Sequence, residues 1–106
     1  MSLVVNAKWV RRAPLQLSSG RVQNYWLFAD STEMLAAIQR VDDGPFQLLF
    51  VVKSFSWGEK EYHTTKYATF EEARRHAEQL LQDKSRMSKG VVLQIASDLS
   101  VSQEEG

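Results

Sequence analysis

Six side chains near the start of the chain carry the chemistry best suited to a ligand: Lys8, Arg11, Arg12, Arg21, Tyr25 and Trp26. Cations beside aromatics on an exposed sheet serve single-stranded nucleic-acid binders, which place phosphates on the cations and stack bases on the rings. A structural alternative explains the same residues. Trp9 and Trp26 would belong to the core, and the arginines would solvate an edge strand and keep it from pairing with other chains. No comparable constellation for catalysis is visible. His63 and His76 are the two histidines, and no HxxxH, HxH or HExxH spacing joins them to a third ligand, so they read as surface side chains. No GxSxG nucleophile turn occurs. Asp42-Asp43 and Glu71-Glu72 are adjacent carboxylates, explained better by a turn and a helix start than by acid–base work. The five glycines are scattered, with no phosphate-loop spacing. The pattern points away from an enzyme and calls for no cofactor and no metal.

Composition sets the outer limits. A chain of 106 residues holds one domain with a single core, and 43% hydrophobic with 25% charged residues is ordinary globular composition. Thirteen basic residues balance thirteen acidic ones, so no whole-chain field draws it to nucleic acid or a membrane. The distribution is less even: Lys8, Arg11, Arg12 and Arg21 face only Asp30 among the first thirty residues, whereas Asp98, Glu104 and Glu105 close the chain. The absence of cysteine excludes disulfides, thiolate metal sites and thiol nucleophiles, and makes a reducing, cytoplasmic setting the default. No apolar run reaches the roughly 18 residues of a membrane span, and no leader pattern is seen. Met1-Ser2-Leu3 and Glu105-Gly106 read as cloning additions and are set aside.

The elements that would position the six residues follow from periodicity. Val5, Ala7 and Trp9 alternate with Asn6, Lys8 and Val10, a half-buried strand that Pro14 ends, bulges or places at an edge. Leu15 and Leu17 lead into the turn cluster Ser18-Ser19-Gly20, and Val22–Ala29 reads as a second strand. On it Val22, Asn24, Trp26 and Phe28 share one face, while Gln23, Tyr25, Leu27 and Ala29 share the other. Residues 30–41 admit two readings. Asp30 and Glu33 form a capping-box-like pair ahead of a helical stripe, Met34, Leu35, Ile38 and Val41. Alternatively Leu35–Val41 is a strand, paired through Asp42-Asp43-Gly44-Pro45 with the next; the strand is the favoured reading. Phe46–Phe55 is apolar on both faces and reads as a central strand. Trp57-Gly58-Glu59-Lys60 turns the chain into a polar strand over Glu61–Ala68. Thr69 then caps an amphipathic helix on which Phe70, Ala73, Ala77, Leu80 and Leu81 recur at three- and four-residue steps, with Gly90 as its stop. Val91–Ala96 is a short late strand, and residues 97–106 a frayed tail.

These elements predict an α+β fold: an antiparallel β-meander of about four to five strands, one long helix on one face, and a short late strand. One helix cannot cover both faces of such a sheet. Either the sheet curls on itself, or a homodimer forms through it, which is the favoured reading. The functional expectation is a small non-catalytic binding or assembly module without a membrane partner, with single-stranded nucleic-acid binding through the first hairpin as the alternative.

The segment Thr69-Phe70-Glu71-Glu72-Ala73-Arg74-Arg75-His76-Ala77-Glu78 resembles the closing helix of many small bacterial and phage proteins. In them several short strands precede a T-x-E-E-A-x-x-x-A-E helix. That resemblance spans about residues 5–84 and implies a fold and no activity. The second half also resembles a double-stranded RNA-binding domain, where strands precede a final helix. Glu71 and Glu72 stand where that family places phosphate-binding lysines, so no binding residue carries over.

Overall fold

The computed structural model of the chain describes residues 3–29, 33–52, 59–87 and 90–101. The elements run β1 (Leu3–Arg11), β2 (Leu15–Leu17), β3 (Gly20–Ala29), β4 (Met34–Val41), β5 (Phe46–Val52), β6 (Lys60–Tyr62), β7 (Lys66–Tyr67), α1 (Phe70–Met87), β8 (Val91–Ile95) and β9 (Ser100–Val101). All the described strands join one sheet, in the order β6-β5-β4-β3-β1-β8, with β2 on β3, β7 on β5 and β9 on β1. The fold is α+β, as the residue pattern predicts. Among the described residues, no helix is long and apolar enough to cross a membrane.

Two features correct the simple antiparallel meander of four to five strands. The sheet has more strands, and it is mixed, because β8 and β9 run parallel to β1. The direction of α1 explains this. Its first residue, Phe70, packs on Trp9 near the end of β1, and β8, which follows it, pairs Val91 with Leu3 at the start of β1. A chain leaving the helix at that end can only re-enter beside β1 by running the same way. Leu3, set aside in the sequence, belongs to β1. Ser100 and Val101, expected in a frayed tail, pair with Val10 and Arg11. Residues 102–106 lie outside the described residues, as do Asp30, Phe55, Trp57 and Gly58.

The ambiguous stretch is a strand. β4 pairs with β3 from Val22↔Val41 to Phe28↔Met34, and on its other side with β5. Leu35, Ala36, Ala37 and Ile38 are all buried between these neighbours. Two ladders outweigh a local helical preference that had only a capping pair behind it. Register shifts at Leu27/Phe28 and Ala37/Ile38 bend the sheet. The second sets Phe50 opposite Ala37, so side chains do not alternate evenly along β5. The polar strand predicted over Glu61–Ala68 is divided into β6 and β7, both paired with β5.

The helix follows its stripe. Thr69 and Glu72 form a reciprocal capping box, Glu72 N–H donating to Thr69 Oγ1 and Thr69 N–H to Glu72 Oε1, each at 3.2 Å. Ala73, Ala77 and Leu81 are wholly buried on the sheet face carrying Ala7, Trp9, Leu27, Ile38 and Leu48. Alanine at two of these three positions brings the helix backbone close to Trp9 and the strands beneath it. Gly90, at φ 78°, turns the chain into β8.

Candidate anion-binding site

The helix covers only part of this face. Register places Arg11 opposite Tyr25 and Arg40 opposite Gln23, with Arg21 two residues before Gln23 on β3. All five therefore share the face on which α1 lies, beyond the point where Phe70 begins the helix. With Asp42 and Asp43 they line a concavity of about 370 Å³.

Each member is held by a local cause. Tyr25 is buried, its ring 4.3 Å from that of Phe70 and 5.9 Å from that of Phe46. Its ring faces are therefore occupied by protein, and it can offer little area for stacking. Arg40 lies over the Phe46 ring at 4.6 Å, donates from Nε to Gly44 O at 2.9 Å, and from a terminal nitrogen to Asp43 O at 3.3 Å. Those acceptors are neutral carbonyls, so its charge is not cancelled. Gln23 is oriented by a bond to the Arg12 carbonyl. Arg11 and Arg21 are exposed. Among the described residues, no ion pair joins Arg11, Arg21 or Arg40 to a carboxylate.

Asp42 has a structural task. It takes φ 52°, a left-handed conformation that Asp tolerates, and Arg21 N–H donates to its Oδ1 at 2.9 Å while Asp42 N–H donates to Arg21 O at 2.7 Å. Its carboxylate lies against Gly20, where an added Cβ would meet Oδ2 at 2.6 Å, and Gly20 itself has φ 134°. Glycine is needed there on both counts. The turn after β4 is thereby fastened to the start of β3, and this sets where Arg21 and Arg40 stand relative to each other.

The position of the helix start depends on a separate network. Trp9, fully buried, donates from Nε1 to Glu78 Oε2 at 2.8 Å, and Arg74 Nε donates to the same oxygen at 2.9 Å. Arg74 also donates to Ala96 O at 3.2 Å and Ser97 O at 2.6 Å. Through these bonds Arg74 and Glu78 join α1 to β1 and to the chain after β8.

The six residues singled out in the sequence are thus divided by the sheet. Arg11, Arg21 and Tyr25 meet in the concavity. Lys8, Arg12 and Trp26 lie on the opposite face, with Lys8 paired to Phe28, Val10 paired to Trp26, and the Arg12 guanidinium 5.0 Å from the centre of the Trp26 ring. The single platform of cations beside aromatics does not form. Trp9 is core, as the structural alternative held. Gln23 and Arg40 are the residues missed; alternation places Gln23 beside Tyr25, but what joins Arg40 to it is the register of β3 against β4.

A second polar cluster joins β6, β7 and α1. Tyr67 hydroxyl is bonded to His76 Nδ1, His63 Nε2 lies 3.2 Å from Glu61 Oε1, and Lys84 Nζ lies 3.6 Å from Glu61 Oε2. Burial raises the Tyr67 hydroxyl above its ordinary value, against a smaller lowering by a hydrogen bond with Thr65. The histidines, read as separate surface residues, are neighbours with ring centres 6.5 Å apart. Among the described residues, no group of three or more His, Asp or Glu side chains is arranged to hold a metal ion.

No family model, curated protein or solved structure matches this chain.

Proposed function

We propose that this chain is a non-catalytic binding module that takes an anionic, phosphate-bearing ligand in the concavity at the open end of its sheet. The observation that supports this reading is the meeting of Arg11, Arg21 and Arg40, from three neighbouring strands, without a carboxylate partner among the described residues. Arginine suits the task because its planar fork binds phosphate oxygens in pairs and keeps its charge at any physiological pH. Gln23 adds an amide to the same surface. Isothermal titration with a phosphate-rich polyanion tests the reading. The double variant Arg11→Ala/Arg21→Ala should weaken binding by at least about tenfold while its thermal melt stays near the parent's. Binding as tight in the double variant as in the parent would overturn it.

Self-association through the sheet, in a cytoplasmic setting, is a second proposal. Leu15, Leu17 and Val41 are 51%, 50% and 40% exposed, and pairing with Val22 and Gly20 sets them on the face opposite the helix. Light scattering at micromolar concentration should then give twice the monomer mass, and a strict monomer would remove the proposal.

A further inference from the structure

We infer that the ligand of this concavity is the sugar-phosphate backbone of a single-stranded nucleic acid, gripped by charge and without recognition of its bases. This rests on the anion-site reading and narrows it. Four observations carry it.

The lining is polar throughout except for Tyr25, whose ring is packed against Phe70 and Phe46, so no aromatic face is open for a base. Trp26 and Phe28, with the Arg12 guanidinium beside them, lie across the sheet, and the Phe46 ring is already covered by Arg40. The cations are also strung out rather than gathered around one point. Arg21 and the Tyr25–Arg11 row are four residues apart along β3, roughly 13 Å at the usual strand rise. A lone phosphate needs convergent donors, whereas a chain of phosphates is served by a row. Finally, Arg11 and Arg21 are exposed, as suits a ligand whose other side stays in water. Carboxylates limit the width of the track. Asp42 and Asp43 also line it, and exposed Glu71 and Glu72 follow Phe70 at the helix start, so the second strand of a duplex would meet negative charge.

The test is fluorescence anisotropy with end-labelled twelve-nucleotide dT and dA strands, a duplex of equal length, and pyrophosphate as competitor. The two single strands should bind within about threefold of each other. Their affinity should fall with salt at a logarithmic slope of about −2, which is what three arginine–phosphate contacts give for single strands. Arg11→Ala/Arg21→Ala should weaken both by at least about tenfold, two charge-assisted contacts being lost. Arg11→Lys/Arg21→Lys, which keeps the charges, should hold binding within about threefold and so separates lost charge from lost folding. Pyrophosphate competing at concentrations equal to the strand would overturn the inference and leave the anion site standing. Equal or tighter binding of the duplex would also overturn it, again without touching the anion site. Absence of binding by all four ligands, or loss on Trp26→Ala with none on the arginine pair, would remove both.

Discussion

The two halves of the helix-bearing sheet face are built on the same strands and differ in almost everything else. Under α1, Trp9, Leu27, Ile38, Leu48, Ala77 and Leu81 are sealed from water. Two residues further along β1 and β4, and four to six along β3, the same face carries Arg11, Arg40, Gln23 and Arg21. The change falls at Phe70, where the helix starts, and Tyr25 and Phe46 close the dry half at that point. A helix shorter than the sheet it covers leaves a strip of strand facing water, and that strip can hold charge without the cost of burying it. Stability should therefore be concentrated in the covered half, and ligand chemistry in the open one.

Trp9 offers the hardest test of that division. Trp9→Ala removes a buried ring, its edge contact with Phe70 and the donor to Glu78, and should cost about 3–5 kcal/mol in chemical denaturation. A loss below about 1 kcal/mol would mean the covered half is not where stability resides.

Ala77→Leu comes next. It inserts three carbons between helix and sheet at a site with no exposure and should cost about 1–3 kcal/mol. Arg75→Leu, two residues earlier on the exposed side of the helix, introduces the same helix former and should change stability by about 0.5 kcal/mol or less. Equal midpoints for the two would break the assignment of the helix stripe.

Gly20→Ala probes the open half. The new methyl would press on the Asp42 carboxylate and the backbone would keep an unfavourable φ, for about 1–2 kcal/mol of destabilisation. Because Asp42 fastens the turn that spaces Arg21 from Arg40, this variant should weaken anion binding more than its stability loss alone explains. Unchanged affinity in a folded variant would show that the turn does not set the site.

Tyr67 gives the smallest effect and a sign that can be checked. Its hydroxyl titrates above 10.0 in the folded chain because burial penalises the phenolate. The unfolded chain therefore ionises first as pH rises, so the contribution is complete below about pH 10 and is lost as pH climbs through the folded value. Tyr67→Phe should flatten the fall in stability above pH 10 and change little at pH 7 beyond the lost bond to His76. An unchanged alkaline slope would mean that Tyr67 does not contribute to it.

How much was legible before the fold was known differs between these regions for a physical reason. The helix, its cap and its buried stripe follow from local spacing, since each residue's side is set by its neighbours three and four positions away. The faces of β3 are equally local: alternation puts Val22, Asn24, Trp26 and Phe28 on one side and Gln23, Tyr25, Leu27 and Ala29 on the other, as the pairing of β3 shows. Period-two alternation also separates Arg11 from Lys8 and Arg12, so the division of the six candidate residues was present in the chain. Grouping them as one platform overlooked it.

Three matters were decided only in three dimensions. The pairing of Gln23 with Arg40 depends on the β3–β4 register, which no local pattern in either strand specifies. The parallel placement of β8 and β9 depends on where the helix delivers the chain, a property of its direction over the sheet. The boundary between dry core and arginine track depends on where Phe70 lands among Trp9, Tyr25 and Phe46. Residue spacing determines which side of its own element a side chain takes. Which elements then meet, and how far one covers another, is a long-range choice made by the shared burial of residues distant in the chain.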